Sequence, residues 1–126
     1  MSNEAAIEGE IQAKGLTAPR LTPALIDHSI ASEHYFTALD GVDGHYRGGH
    51  EAQGVEHATQ LSLLTFCVLV LRNGFTVTGE SACASPENFD PEIGKKIARA
   101  NAREKIWAFE GYLLREKLHR AAEASR

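Results

Sequence analysis

The run Thr65-Phe66-Cys67-Val68-Leu69-Val70-Leu71, then Arg72-Asn73-Gly74, then Phe75-Thr76-Val77-Thr78, constrains the fold more than any other part of the chain. Two stretches of strand-forming residues flank an Asn-Gly pair, which readily adopts the positive φ of a tight antiparallel hairpin. With Asn73 and Gly74 as the central turn residues, Leu71 pairs with Thr76 and Leu69 with Thr78. Side chains alternate along a strand. That register places Phe66, Val68, Val70, Phe75 and Val77 on a core face. Thr65, Cys67, Leu69, Leu71, Thr76, Thr78 and Glu80 then share a mixed face, to be covered by a helix, a ligand or a second subunit. A lone hairpin is marginal in water, so edge pairing or dimerisation is expected to complete the sheet.

Helical signals stand on both sides. Thr22-Pro23 is an N-cap followed by a first-turn proline, and Leu25, Ile26, Ile30, Ala31, Tyr35 and Phe36 continue at helical spacing, which predicts a helix over about residues 23–38. Asp40-Gly41 and Asp43-Gly44 read as its end, and residues 44–57 as a Gly- and His-rich loop. Val55 to Leu64 suits a short helix. Ser85-Pro86 and Asp90-Pro91 are two further cap-and-proline pairs. From Pro91 one stripe carries Ile93, Ile97, Ala100, Trp107, Leu114 and Leu118, and a second carries Ala98, Ala102, Ile106, Phe109 and Leu113. A helix apolar on two sides needs two covers, and in so short a chain the second is expected from another subunit. Glu110-Gly111 is a candidate break into two helices, because glycine costs about 1 kcal/mol in a helix interior.

The 126 residues suffice for one modest core. Residues 1–20 read as a flexible leader, residues 21–122 as one α+β domain, and residues 123–126 as a frayed tail. The longest apolar run, near Leu61 to Leu71, is interrupted by Ser62, Thr65 and Cys67, too short and too polar for a membrane span. The acidic opening MSNEAAIEGE is unlike a signal peptide, so a soluble, cytosolic protein with Cys67 and Cys83 reduced is expected. The formal net charge is −4, but residues 1–60 hold three Lys/Arg against nine Asp/Glu, and residues 61–126 hold ten against eight. That balance argues against non-specific duplex DNA binding, which depends on many phosphate contacts. A basic tail half could steer an anionic partner or meet the acidic front half of another subunit.

Several constellations bear on chemistry. Gly79-Glu80-Ser81-Ala82-Cys83 begins like a nucleophile elbow, yet it lacks the closing glycine and follows a hairpin strand. A polar strand end is the simpler account. Cys83 precedes a helix start, where a dipole can lower a thiol pKa, but no basic partner stands near it in sequence. His45, His50 and His57 have spacings of five and seven; only the second matches two turns of a helix, and the Gly-rich context argues against a helix there, so solvated loop histidines are a plainer account than a metal site to which Glu51 and Glu56 would add oxygen ligands. No catalytic residue, metal or cofactor is therefore assigned. Lys95, Lys96, Arg99, Arg103 and Lys105 make the start of the last helix basic, and Lys96, Arg99 and Arg103 fall on roughly one flank of it. Thr76, Thr78, Glu80, Ser81 and Ser85 are expected near that corner. Helix N–H groups and guanidinium forks favour phosphate, so these eight residues, Thr76 to Arg103, form the candidate site for a nucleotide-sized anion. A solvated helix flank is the plainer alternative.

The string LTFCVLVLRNGFTVTGESACASPENFD, its continuation EIGKKIARANAREKIWAFEGYLLREKL and the preceding APRLTPALIDHSIASEHYFTA closely resemble the gene-49/gene-66 phage protein family, named from two short-tailed enterobacterial phages. The resemblance covers about residues 18–118, is densest at Asn73 to Ser81, and leaves out the leader and the 44–57 loop. It implies an accessory protein made by a phage or prophage in the bacterial cytoplasm and carries over no catalytic residue. The reading is then an α+β homo-oligomer: a hairpin or small sheet packed with an N-terminal helix and one or two C-terminal helices. Its expected function is non-enzymatic binding, in counter-defence, of an anionic or nucleotide signal or of a host factor. The alternative is an adaptor acting on host transcription or replication through the acidic front half or Tyr35 and Phe36.

Overall fold

A computed structural model describes residues 3–47 and 56–126. In chain order these form α1 (Glu4–Ala13), α2 (Pro23–His28), β1 (Ile30–Thr37), α3 (Ala38–Arg47), α4 (Ala58–Ser62), β2 (Leu64–Leu71), β3 (Thr76–Ala82) and α5 (Pro91–Ala124). The three strands make an antiparallel sheet in the order β1-β2-β3, and α5 packs across one face of it. The expected α+β architecture is present, with a third strand and with one C-terminal helix that runs through Glu110-Gly111 unbroken.

The hairpin is real, but its register differs by one residue from a two-residue turn. Gly74 N bonds back to Leu71 O at 2.9 Å, Gly74 takes φ +90°, and Leu71 N bonds to Phe75 O at 2.8 Å. This is a type I turn followed by a left-handed residue, the three-residue hairpin loop. Leu69 therefore faces Val77 rather than Thr78, and Cys67 faces Gly79. A one-residue slip exchanges cross-strand partners, and it overturns the core assignment. Thr65, Cys67, Leu69, Leu71 and Val77 are buried against α5, whereas Phe66, Val68 and Val70 sit on the outer face with Thr76, Thr78 and Glu80.

Residues 23–38 are not one helix. The Thr22 hydroxyl caps α2, accepting from Leu25 N at 3.1 Å, but the helix ends at His28. Ile30–Thr37 then pairs with β2, with Ala31 bulged out between Ile30, opposite Leu71, and Ser32, opposite Val70. Edge pairing gives the backbone of β1 a full ladder and covers β2, which outweighs a helical spacing of apolar residues. Tyr35 and Phe36, adjacent in a strand, consequently point to opposite faces. Tyr35 packs on the core and gives its hydroxyl to Glu33, while Phe36 lies against Phe66 on the outer face with ring centroids 5.6 Å apart.

Asp40-Gly41 and Asp43-Gly44 end nothing: they lie inside α3. Its start is a reciprocal cap, with Thr37 N donating to the Asp40 carboxylate at 2.9 Å and Asp40 N to the Thr37 hydroxyl at 3.1 Å. Residues 44–47 of the expected loop are thus helical, and the rest of it up to residue 55 lies outside the described residues. Residues 4–13, where composition suggests an unstructured leader, are helical too.

α5 seats on the sheet through small residues. Gly94, Ala98, Ala102 and Ile106 make its buried stripe at a spacing of four. Gly79 on β3 lies so close that an added Cβ would overlap the backbone of Ala98 and Ala102. Ile26 from α2 closes the core, fully buried. Of the two apolar stripes on α5, the second is covered at Ala98, Ala102 and Ile106 and exposed farther along at Phe109 and Leu113. Ile93 and Ile97, on the other, remain 55% and 46% exposed.

Candidate ligand groove on the long helix

The eight residues expected to share a corner are distributed over four places. Thr76, Thr78 and Glu80 are exposed on the outer face of the sheet, away from α5. Ser81 is half-buried on the inner face opposite Thr65, and Ser85 lies in the turn before the Pro86–Asn88 3-10 helix, its carbonyl accepting from Asn88 N. Lys96, Arg99 and Arg103 do come together, one turn apart along α5. The N-terminus of α5, attractive in principle for an anion, is already filled. Asp90 caps it, its carboxylate accepting from Glu92 N at 2.9 Å and Ile93 N at 3.2 Å.

The three cations line an open groove of about 1010 Å³. Ile93, Ile97 and Ala100 form its apolar wall, and Glu4, Asp27 and Glu104 bring opposite charge. Volumes of a few hundred to about a thousand Å³ suit ligands of nucleotide size.

Each cation is committed to a different degree. Arg103 is the most embedded, with a side chain 13% exposed. Its Nη1 donates to Glu4 at 2.7 Å, its Nε to Asp27 at 2.7 Å and its Nη2 to the Pro23 carbonyl at 3.2 Å. Burial alone would lower its pKa, but the Glu4 and Asp27 hydrogen bonds outweigh burial and raise it. Among the described residues Arg99 spends only Nε, on Glu33 at 3.0 Å. Glu33 is held below the usual carboxylate range by the Tyr35 hydroxyl first and by Arg99 second. Burial and the same Glu33 contact push the Tyr35 hydroxyl well up, so it stays a donor throughout the physiological range. Lys96 has no ion-pair partner among the described residues. The groove thus offers the Lys96 ammonium and the two Nη groups of Arg99 beside an apolar wall.

Neither cysteine is bonded to another. Cys67 is buried in the core, its thiol pushed up by that burial, and Cys83 points its sulfur at the Ser85 carbonyl at 3.2 Å. Glu80, Ser81 and Cys83 do not converge: Glu80 is on the outer face and Ser81 on the inner. Of the histidine set, His50 with Glu51 lies outside the described residues, and His57 sits at φ +60° before α4. Among the described residues no cluster of three or more His, Cys, Asp or Glu side chains could hold a metal ion. None of the described helices is long and apolar enough to cross a membrane.

What the sequence reading missed is the acidic surround: Glu4, Asp27 and Glu33. Glu4 and Asp27 are far from α5 in sequence, and Glu33 was placed in a helix, so no local pattern could pair them with Arg103 and Arg99. The signal that existed was the charge asymmetry itself, an acidic front half and a basic tail half, here met within one chain.

The family model described as "Phage protein (N4 Gp49/phage Sf6 gene 66) family" matches residues 21–118. No curated protein and no solved structure matches the chain. The matched span takes in the sheet, α2 to α4 and most of α5, and it begins after α1.

Proposed function

Because the chain belongs to the N4 Gp49/phage Sf6 gene 66 family of phage proteins, we propose that it is a phage accessory protein that binds, without transforming, a small anionic ligand of nucleotide size in the α5 groove. The observation that carries the reading is the juxtaposition of Lys96 and the uncommitted edge of Arg99 with the exposed apolar wall of Ile93, Ile97 and Ala100. Charge-assisted hydrogen bonds from ammonium and guanidinium suit phosphate oxygens, and the isoleucine wall suits the flat face of a base. Sequestering a host signalling nucleotide in the bacterial cytoplasm, as a counter-defence, is the role that fits a small phage protein with such a groove. The step from groove to role is by analogy. Denaturing the purified protein and analysing the released small molecules tests it: a nucleotide released in near-stoichiometric amount supports the reading, and its absence together with no shift on adding nucleotides removes it.

A second reading, contact with protein, draws on a different surface. Phe75 at the hairpin tip meets Phe109 edge-on with ring centroids 5.2 Å apart, and both are exposed, as are Tyr112 at 71% and Leu113 at 52%. Exposed aromatic clusters of this kind mark protein interfaces. We assign this patch to self-association, which would give the homo-oligomer, ahead of a host transcription or replication factor. Light scattering of the wild type against Leu113→Asp separates the two, since in the absence of host protein the substitution lowers the subunit count only if the patch joins copies of this chain.

A further inference from the structure

α1 is fastened to the body by carboxylates and hardly at all by apolar burial. None of its residues is buried, and Ile7 is 53% exposed. A gap of about 240 Å³ lies beneath it, lined by Ile7, Ile11, Leu21 and Trp107 among others. Two polar clasps hold α1. The Glu8 carboxylate accepts two bonds from the Arg20 guanidinium, at 2.8 and 2.7 Å. The Glu4 carboxylate accepts at a single oxygen from Arg103 Nη1 at 2.7 Å and from Trp107 Nε1 at 3.1 Å.

The second clasp stands in the ligand groove. Glu4 lines the same space as Lys96 and Arg99, and the two N–H groups converging on its oxygen would serve a phosphate oxygen equally well. Leaving the embedded Arg103 without its anion would be costly, which explains why a carboxylate from the chain itself fills the seat. Exchange at the seat is simple: Asp27 on Nε and the Pro23 carbonyl on Nη2 hold the guanidinium while Nη1 changes partner. α1 also lies outside residues 21–118, the part that matches the family.

We propose that α1 is a displaceable strap: Glu4 is a built-in competitor at the Arg103–Trp107 seat, and a phosphate-bearing ligand takes that seat and releases α1. The proposal rests on the groove reading above and adds its regulation. While the strap is closed the groove is only partly competent, so apparent affinity falls in proportion to the open fraction.

The test uses the full chain and inorganic pyrophosphate as the probe, with calorimetry for affinity and fluorescence of Trp107, the single tryptophan, for the strap. Glu4→Gln is compared with Glu104→Gln, which removes a charge from the same groove without touching Arg103. The expected result is that Glu4→Gln binds about tenfold more tightly than wild type, or about 1.4 kcal/mol, while Glu104→Gln changes affinity far less. Pyrophosphate should also move the Trp107 emission of the wild type towards that of Glu4→Gln. Equal affinity in wild type and Glu4→Gln, or an equal gain in both variants, overturns the strap and leaves the groove standing. Absence of pyrophosphate binding in all three removes the groove reading, and the strap with it.

Discussion

At Gly79 an added Cβ would overlap the Ala102 nitrogen and the Ala98 oxygen, and both belong to helix backbone that cannot rotate aside. Gly79→Ala is therefore expected to destabilise the protein by about 3 kcal/mol or more, at the upper end of overpacking costs, read as a drop in the urea midpoint. Gly9, with nothing within 4 Å on the exposed side of α1, gives the contrast: Gly9→Ala should gain about 0.5–1 kcal/mol of local helix stability. Thr65 is buried at 3% exposure with its Oγ1 unpaired among the described contacts, facing Gly94. A buried hydroxyl without a partner costs about 1–3 kcal/mol, so Thr65→Val should be neutral or stabilising by about 1 kcal/mol in the same titration. Glu8 carries a pH prediction. The Arg20 hydrogen bonds, with help from Gln12, lower its pKa from an ordinary 4.5 to about 2. A depressed carboxylate contributes stability above its unfolded value and loses it as pH falls through its folded value. The docking advantage of wild type over Glu8→Gln, measured by amide exchange in α1, should be full well above pH 4.5, shrink below it, and be lost as the pH falls through about 2.

At the scale of elements, the face of β2 that packs on α5 is decided by one residue of turn length. Asn73-Gly74 announces a hairpin, but the same dipeptide serves the two-residue turn and the three-residue turn with glycine at the left-handed position. β2 is apolar on both faces, so its alternation does not choose between them. Leu69 is fully buried and Val68 is not. Leu69→Ala should cost about 2–5 kcal/mol, and Val68→Ala clearly less. A larger cost at Val68 would restore the other register. Other elements were legible to different degrees. Asp90-Pro91 marks the start of α5 without ambiguity, and Thr22-Pro23 that of α2. The strand character of Ile30–Thr37 depends on β2 lying beside it and is absent from local spacing. The Thr37-x-x-Asp40 cap of α3 stood in the sequence, masked by two glycines that the helix tolerates. On α5 the cations were legible as a flank; their acidic partners, a tertiary fact, were not. The densest part of the family resemblance, Asn73 to Ser81, turns out to hold the turn glycine, the buried Val77 and the seating glycine of α5. Its residues specify packing more than ligand chemistry.

Over the whole molecule, the acidic front half and the basic tail half close on each other through Glu4, Asp27, Glu33, Arg99 and Arg103, so the charge asymmetry is largely satisfied within one chain. Two features stand out on the outward side of α5: Lys96 and the half-used Arg99 beside the isoleucines, and the aromatic patch past the hairpin tip. We propose a ligand for the first and another copy of the chain for the second. Native mass spectrometry of the protein taken from phage-infected cells measures both together, on wild type and on a Lys96→Glu, Arg99→Glu variant. The expected result is a discrete oligomer carrying a few hundred daltons of bound mass per site, on the order of one nucleotide, and the same oligomer without that mass in the variant. A ligand-free species in both, or bound mass that persists in the variant, would contradict it.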